Sequence, residues 1–273
     1  MNPPKLKAPP LACDCHMHVF EDRYALAPTA TFKPPHAPAS AYLEVQRQLG
    51  LERVVVVQAS GYGFDNSCML AAMKTFGASA RGVAVVGPDA SEAELDRLAR
   101  LGVRGVRYFM LPGGVLGWDT LEAVAARVRP FGWHVQMQLD GRELPKYRER
   151  LSKLPVDLVI DHNGKYLEPV ATDHPAFTAL LEMLDSGRVW VKLAAPYETS
   201  KFGPPAYDDV SALSRALVKR NPQRCLWASN WPHPNRNPAP SNAAMLDLLP
   251  SLAGDEATVR RILADNPANL YFK

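Results

Sequence analysis

The sequence predicts one (β/α)8 barrel, on three observations. First, apolar runs of strand length alternate with helical patterns eight times along the chain. Second, runs such as Val54-Val55-Val56-Val57 are apolar without alternation, as strands covered on both faces of a parallel sheet are. Third, the later strands alternate with polar groups on one face. Gln136, Gln138 and Asp140 oppose Val135, Met137 and Leu139, and Lys192 lies with Trp190 and Ala194 opposite Val189, Val191 and Leu193. An open doubly wound sheet would press helices against that polar face, whereas a closed barrel turns it toward its mouth. A chain of 273 residues suits a single such domain, 1–273.

Taken in order, residues 1–10 contain four prolines and form an extended arm. The stretch Asp14-Cys15-His16-Met17-His18 reads as the first strand. Alternation puts Asp14, His16 and His18 on one side and Cys13, Cys15 and Met17 on the other. Residues 22–38 are proline-rich and irregular, and a loop of that length suits a lid over the open end of this strand. Helix 39–49, strand 53–59, helix 65–76 and strand 81–86 follow. Ser91 and Glu94 form a capping box for a helix to residue 101, before strand 104–110, on which Arg104 and Arg107 take opposite faces. After the Pro112-Gly113-Gly114 loop, Asp119 with Glu122 caps a helix to about Arg129-Pro130, and strand 133–140 begins. Then come helix 142–151, strand 157–162, helix 174–184 capped by Asp173, strand 189–195, helix 207–219 and strand 224–230. On the last, Trp227 and Trp231 face outward. Two helical segments close the chain at Asn266-Pro267.

A net charge of +3, spread without basic blocks, gives no support to a nucleic-acid or membrane-surface partner. Cys13, Cys15, Cys68 and Cys225 lack disulfide or zinc-knuckle spacing, so reduced thiols are expected. With no signal-peptide core and no bilayer-length apolar run, the expectation is a soluble, cytoplasmic protein. The oligomeric state is not legible.

Barrel catalysts act at the C-terminal ends of the strands. Those positions hold His16, His18, Gln58, Ser60, Arg107, Tyr108, Gln138, Asp140, His162, Lys192, Asn230 and His233. Three imidazoles at one barrel end point to a polar catalytic site. Cys13 and Cys15 face away by alternation and are not metal ligands. Lys192 either pairs with a carboxylate such as Asp14 or meets an anionic substrate, and of Asp161 and Asn163, one serves only to cap a turn.

Taken together, DCHMHVF (14–20), VVVVQAS-GYGFDN (54–66), VIDHNGK (159–165), LWASNWPHPN (226–235) and ILADNPANLYF (262–272) resemble the amidohydrolase superfamily. The resemblance is nearest to its branch of 2-pyrone-4,6-dicarboxylate hydrolases, sulfomuconolactone hydrolases and galactarolactone isomerases. It implies an amidohydrolase-like (β/α)8 TIM barrel acting on a small carboxylated lactone. Superfamily members often hold divalent metals through HxH, a mid-barrel lysine or glutamate, further histidines and a strand-eight aspartate. This chain departs from that pattern, with Gln138 at mid-barrel, no further downstream histidine beside His162, and Asn230 in place of the aspartate. An amide is neither a carboxylate base nor a good ligand for a hard cation.

The expectation is therefore a lactone hydrolase with no required metal. In it His16, His18 and His162 donate to the carbonyl, and the proton-handling role left open at Asn230 passes to His233 or a barrel histidine. Substrate contacts are expected from Ser60, Tyr62, Arg107, Gln138, Lys192 and Tyr197. The alternatives are a galactarolactone-type isomerase, a zinc-dependent decarboxylase or amidase with His16, His18 and His162 as ligands, and a non-catalytic metabolite-binding barrel. The loop FMLPGGVLGW (109–118) carries no basic residue and Tyr197-Glu198 follows strand seven, so a substrate with fewer carboxylates, or with hydroxyls, is expected.

Overall fold

Each apolar run becomes a strand of one parallel sheet in the computed structural model, which describes residues 3–273; Met1 and Asn2 of the expected arm lie outside the described residues. The strands are β1 (Cys13–Met17), β2 (Arg53–Val57), β3 (Ala80–Ala84), β4 (Val103–Phe109), β5 (His134–Gln138), β6 (Leu158–Ile160), β7 (Val189–Leu193) and β8 (Cys225–Trp227), and they pair in that order. Helices α1 (Ala39–Leu49), α2 (Ser67–Phe76), α3 (Glu92–Arg100), α4 (Leu121–Val128), α5 (Leu144–Ser152), α6 (Pro175–Asp185) and α7 (Asp208–Arg220) make the successive crossovers. Val135, Met137, Val191 and Leu193 join the cluster packed beneath the helices. Val55, Val57, Val83, Val159, Trp190 and Leu226 form a second cluster inside the barrel. No helix among the described residues is long and apolar enough to cross a membrane.

The sequence places the helices well and some of their ends less well. Ser91 accepts from the Glu94 N–H at 3.2 Å, as the capping box requires. Asp119, by contrast, caps nothing: residues Trp118–Thr120 form a 3-10 turn and α4 begins at Leu121 without a side-chain cap. The α6 cap is His174, whose Nδ1 accepts from Ala176 N–H at 3.1 Å, and not Asp173. The chain does not close at Asn266-Pro267. Beyond α8 (Asn242–Asp247), α9 (Leu249–Ala253) and α10 (Glu256–Arg260), a π-turn at Arg261–Asp265 leads into α11 (Asn266–Tyr271). Pro267 follows this π-turn closely, in a helical run that continues unbroken from α10. Tyr271 then joins the interior cluster, and Arg53 and Arg81 lie 4.6 and 4.5 Å from the Phe272 ring centroid, so this helix stoppers the N-terminal end of the barrel.

Simple alternation fails on β1. The β1–β2 register shifts between Asp14 and Met17, a bulge that lets two successive residues turn to the same side. Cys13 and Cys15 therefore pack inside the barrel, His16 and His18 also turn inward, and Asp14 points outward toward α1. There the Asp14 carboxylate accepts from His16 N–H (3.1 Å), Ser229 N–H (3.0 Å), Tyr42 O–H (2.8 Å) and the Ser229 hydroxyl. Beyond the end of β8, Asn230 N–H donates to His16 C=O (2.9 Å) and His18 N–H to Trp231 C=O (2.8 Å). These bonds close the barrel between its last strand and its first.

Asp14→Ala removes the acceptor from several buried donors at once. It is expected to cost about 3 kcal/mol or more, read as a lower urea midpoint at unchanged slope. A loss below about 1 kcal/mol would show that the seam holds without it.

Candidate active site

The bulge delivers two imidazoles to one point below the mouth. His16 Nε2 and His18 Nε2 are 3.1 Å apart, with rings perpendicular at 88°. His18 Nδ1 lies 2.8 Å from Val57 C=O, which can only accept, so the His18 proton is on Nδ1 and its Nε2 is a lone pair. His16 Nε2 donates to it in the tautomer that leaves Nδ1 to accept, although Asp161 Oδ1, 3.2 Å from the same Nδ1, is an acceptor that favours a proton there. Lys192 Nζ meets that Nδ1 at 3.3 Å, as does Gln136 Nε2. Lys192 also donates to Gln136 Oε1 at 2.5 Å and lies 3.6 Å from Asp161 Oδ1, while Gln136 Nε2 donates to Asp161 Oδ2 at 3.1 Å. Lys192 thus pairs with Asp161, not Asp14, and both are fully buried. Burial and the nearby cations Lys192 and Arg107 push the His16 and His18 rings down, His18 to about 3, so both are neutral.

Above this layer opens a cavity of about 290 Å³ whose lining includes His18, Ser60, Arg107, Gln138, His162, Lys165, Glu198, Asn230 and Arg236. Phe20, Phe32, Phe109, Leu111 and Leu167 supply its apolar wall. Phe32 comes from the 22–38 segment, tied at its base by the Phe20–Ala37 bridge. Arg107 donates to Gln58 C=O (2.6 Å) and Gln138 Oε1 (3.2 Å), yet its Nε is buried without a partner. Among the described residues no carboxylate lies within ion-pair distance of Arg107, and burial lowers its pKa to about 10. His162 Nδ1 is likewise buried and unpartnered, with its ring 4.8 Å from that of His16. His162, Asn163 and Lys165 all have positive φ (51°, 58° and 51°), backbone strain of the kind concentrated at functional sites. Asn163 braces this turn, donating to Ala194 C=O (2.9 Å) and accepting from Ser214 (2.7 Å).

One wall is a chain of polar side chains. His233 Nε2 donates to Asn242 Oδ1 (2.8 Å), so its Nδ1 accepts from Tyr197 O–H (2.8 Å). Tyr197 in turn accepts from Asn230 Nδ2 (2.9 Å), whose second N–H donates to Glu198 Oε1 (3.0 Å). The other Glu198 oxygen pairs with Lys165. Burial and Arg236 lower Lys165 to about 8.

Of the residues singled out from sequence, His18, Ser60, Arg107, Gln138, His162 and Asn230 line the cavity. His16 and Lys192 lie in the layer beneath. Tyr197 and His233 stand behind Asn230, and Tyr62 is turned to the lid, where its hydroxyl accepts from Glu21 N–H at 3.0 Å. Asp140 and Gln58 are structural, Asp140 bonding Arg142 and Gln58 Nε2 donating to Gly63 and Asp65 carbonyls. Asp161 is the inward member of the pair flanking His162. Gln136, Lys165, Glu198, Asn242 and Arg236 were not singled out. Gln136 shares the parity of Gln138 and was the most accessible of these, whereas Lys165, Glu198 and Arg236 come from irregular turns. The loops after β4 and β7 bring no basic residue to the cavity, which draws its cations from Arg107 on β4 and from the turns after β6 and β8.

His16, Asp161 and His162 offer ligand atoms within 4.8 Å of one another, a group that reaches around a single point. The charges fit a resident divalent cation poorly. Asp161 is already held by Lys192 and Gln136, and freeing His16 Nε2 would move its proton to Nδ1, which faces the Lys192 ammonium at 3.3 Å as well as the Asp161 carboxylate at 3.2 Å. Asn230 turns its amide nitrogen to Tyr197 and Glu198.

Comparison with known proteins is consistent across the chain. A family model described as amidohydrolase matches residues 13–273. D-galactarolactone isomerase of Agrobacterium fabrum is 34% identical over 95% of this chain and 90% of its own length. The 2-pyrone-4,6-dicarboxylate hydrolase of Comamonas testosteroni is 35% identical over 98% of this chain and 92% of its own. An apo crystal structure from Agrobacterium tumefaciens superposes with a TM-score of 0.93 at 33% identity, covering 99% of this chain and 98% of that one.

The buried rings set an acid limit on stability. His18 and His134 are held to about 3 and His233 to about 4 by burial, and His16 and His162 also lie well below the ordinary 6.5. Because the unfolded chain binds more protons between these values and 6.5, the stabilisation is complete above about 6.5 and is lost as pH falls toward 3. Asp14, whose carboxyl burial pushes up, acts in the opposite sense, one group against five. The urea midpoint is expected to fall steadily from pH 6.5 to 4, and a midpoint unchanged down to pH 5 would contradict the burial of neutral imidazoles.

Proposed function

The chain belongs to the amidohydrolase family, and we propose that it is an enzyme acting on the cyclic ester of a small carboxylated lactone without a required metal. The observation that carries this is Arg107, a buried guanidinium, 3 % exposed, that lines a small cavity and keeps an Nε without a partner. A cation so placed is stabilised by a substrate carboxylate, which supplies the missing acceptor and charge. Lys165 and Arg236 add positive charge, so an anionic substrate enters a favourable field. The names of the relatives, a lactone isomerase and a pyrone-dicarboxylate hydrolase, support the same substrate class.

With the carboxylate on Arg107, the lactone carbonyl lies among His162, His18 and Gln138. Neutral His162 is the donor to the carbonyl oxygen, and preorganised donors of this kind stabilise the oxyanion as it forms. His16 and His18 do not act as equal donors beside it. His16 is bonded to His18 from beneath, and both His18 nitrogens are in use, Nδ1 on Val57 C=O and Nε2 toward His16. The His16–Gln136–Asp161–Lys192 layer instead fixes ring orientation and holds the site neutral underneath. The likeness to a lactone isomerase supports isomerisation as the second reading, in which a substrate hydroxyl held beside the ester attacks it in place of water.

Two measurements check this. Purified protein is expected to turn over members of a panel of aldaric-acid lactones and pyrone carboxylates, with activity unchanged after exhaustive chelation and less than stoichiometric metal by elemental analysis. One equivalent of metal with activity lost on chelation would overturn the metal-free reading. Arg107→Met is expected to raise KM or lower kcat/KM by about a hundredfold through loss of the charged anchor. An unchanged kcat/KM would remove Arg107 from the substrate site.

A further inference from the structure

The cavity contains one carboxylate among its lining side chains, Glu198. Asp161 lies in the layer beneath, fully buried and committed to Lys192 and Gln136. Among the imidazoles, His18 uses Nδ1 on Val57 C=O and meets the His16 N–H at Nε2, His233 is bonded at both nitrogens, and His162, whose Nδ1 is unpartnered, is the donor to the carbonyl oxygen in the lactone reading. Glu198 is held for use. Its side chain is 15% exposed, Lys165 pairs with Oε2, Asn230 donates to Oε1, and Arg236 grips its carbonyl oxygen at 2.9 Å.

We infer that Glu198 takes the proton from the attacking oxygen and returns it to the leaving ring oxygen, performing from the turn after β7 the work that a carboxylate at position 230 would otherwise perform. This rests on the lactone reading. The attacking O–H, of water or of a substrate hydroxyl, forms a bond to the carbonyl carbon while its proton passes to Glu198. The carbonyl π pair moves onto oxygen beside the site donors. When it returns, the ring C–O bond breaks and protonated Glu198 gives its proton to the departing oxygen. Glu198 ends as it began, and no other reactant is consumed.

The amide at 230 is the complement of this arrangement. Aspartate there would bring a second anion to about the 3.0 Å that now separates Asn230 Nδ2 from Glu198, and would remove the N–H that orients it. The two positions behave as a carboxylate–amide pair whose members can be exchanged.

The test uses a lactone that the unaltered enzyme turns over, with Glu198→Gln, Asn230→Asp, the double variant and Glu198→Asp, each confirmed folded by its melting temperature. Glu198→Gln is expected to lower kcat by about a hundredfold or more with KM within about threefold. The double variant, which restores a carboxylate at the other end of the same hydrogen bond, is expected to recover at least about tenfold over Glu198→Gln. Glu198→Asp, which keeps the charge, is expected to stay well above Glu198→Gln. A Glu198→Gln enzyme within about threefold of the original kcat overturns the assignment, as does a double variant no faster than Glu198→Gln. Failure of the unaltered enzyme on every lactone overturns the substrate reading itself, a result distinct from either.

Discussion

A single buried carboxylate, Asp14, holds the seam on which the rest of the site depends. It accepts from the backbones of β1 and of the segment after β8 and from Tyr42 on α1, so it fixes three elements relative to one another. The donor at the β1 bulge is His16 N–H, whose side chain begins the polar layer. The neighbouring residue on the other side is Asn230, whose N–H bonds His16 C=O. Burial raises the Asp14 carboxyl while its donors pull it down, the usual balance for an anion kept inside by hydrogen bonds. The bulge matters for function because regular pleating would leave His16 and Asp14 on one side. With the extra residue the imidazole reaches the barrel axis and the carboxylate stays in the wall.

The site is stratified by charge. At the bottom, Lys192 and Asp161 cancel, leaving neutral imidazoles above them. At the cavity, Lys165 cancels Glu198, and Arg107 and Arg236 remain as excess positive charge. Such a site binds an anion and polarises a neutral carbonyl beside it, while disfavouring a further resident dication. Neutral histidines are consistent with this. Imidazolium rings would crowd the same space with charge, whereas neutral rings donate or accept according to tautomers that their buried partners dictate.

Much of the fold was legible because hydrophobic periodicity reports burial directly. Continuous apolar β2 means a parallel sheet covered on both faces, the polar groups on the inner faces of β5 and β7 mean that the sheet curls into a barrel, and the structure forms one. The bulge on β1 was not legible. It changes the parity of Asp14 and Cys15 without leaving any mark in composition, and it is a property of the β1–β2 register and of the seam with β8. The cavity was readable where its residues sit on strands, as with Arg107, Gln138 and His18. It was not where they sit on turns of positive φ, because Lys165, at φ 51°, carries no sequence mark of that conformation. Asp161 was obscured for the related reason that the strand ends at Ile160 and a 3-10 turn begins at His162, so both neighbours reach the site where strict alternation allows one.

Hydrolysis and lactone isomerisation differ in the nucleophile and not in the group that accepts its proton. The same carboxylate in the same place serves either, provided the attacking oxygen stands between it and the carbonyl carbon. What selects between them is therefore the occupancy of that position, set by the cavity wall. Phe20, Phe32, Phe109, Leu111 and Leu167 surround about 290 Å³, a volume that a small bound lactone largely fills. A substrate that carries its own hydroxyl within reach presents it at high effective concentration, and each water displaced by the apolar wall increases that advantage. A planar ring without such a hydroxyl leaves the position to water. On this argument the reaction outcome is written in the substrate and in the five apolar side chains rather than in the identity of residue 230, whose amide donates to Glu198 beside it.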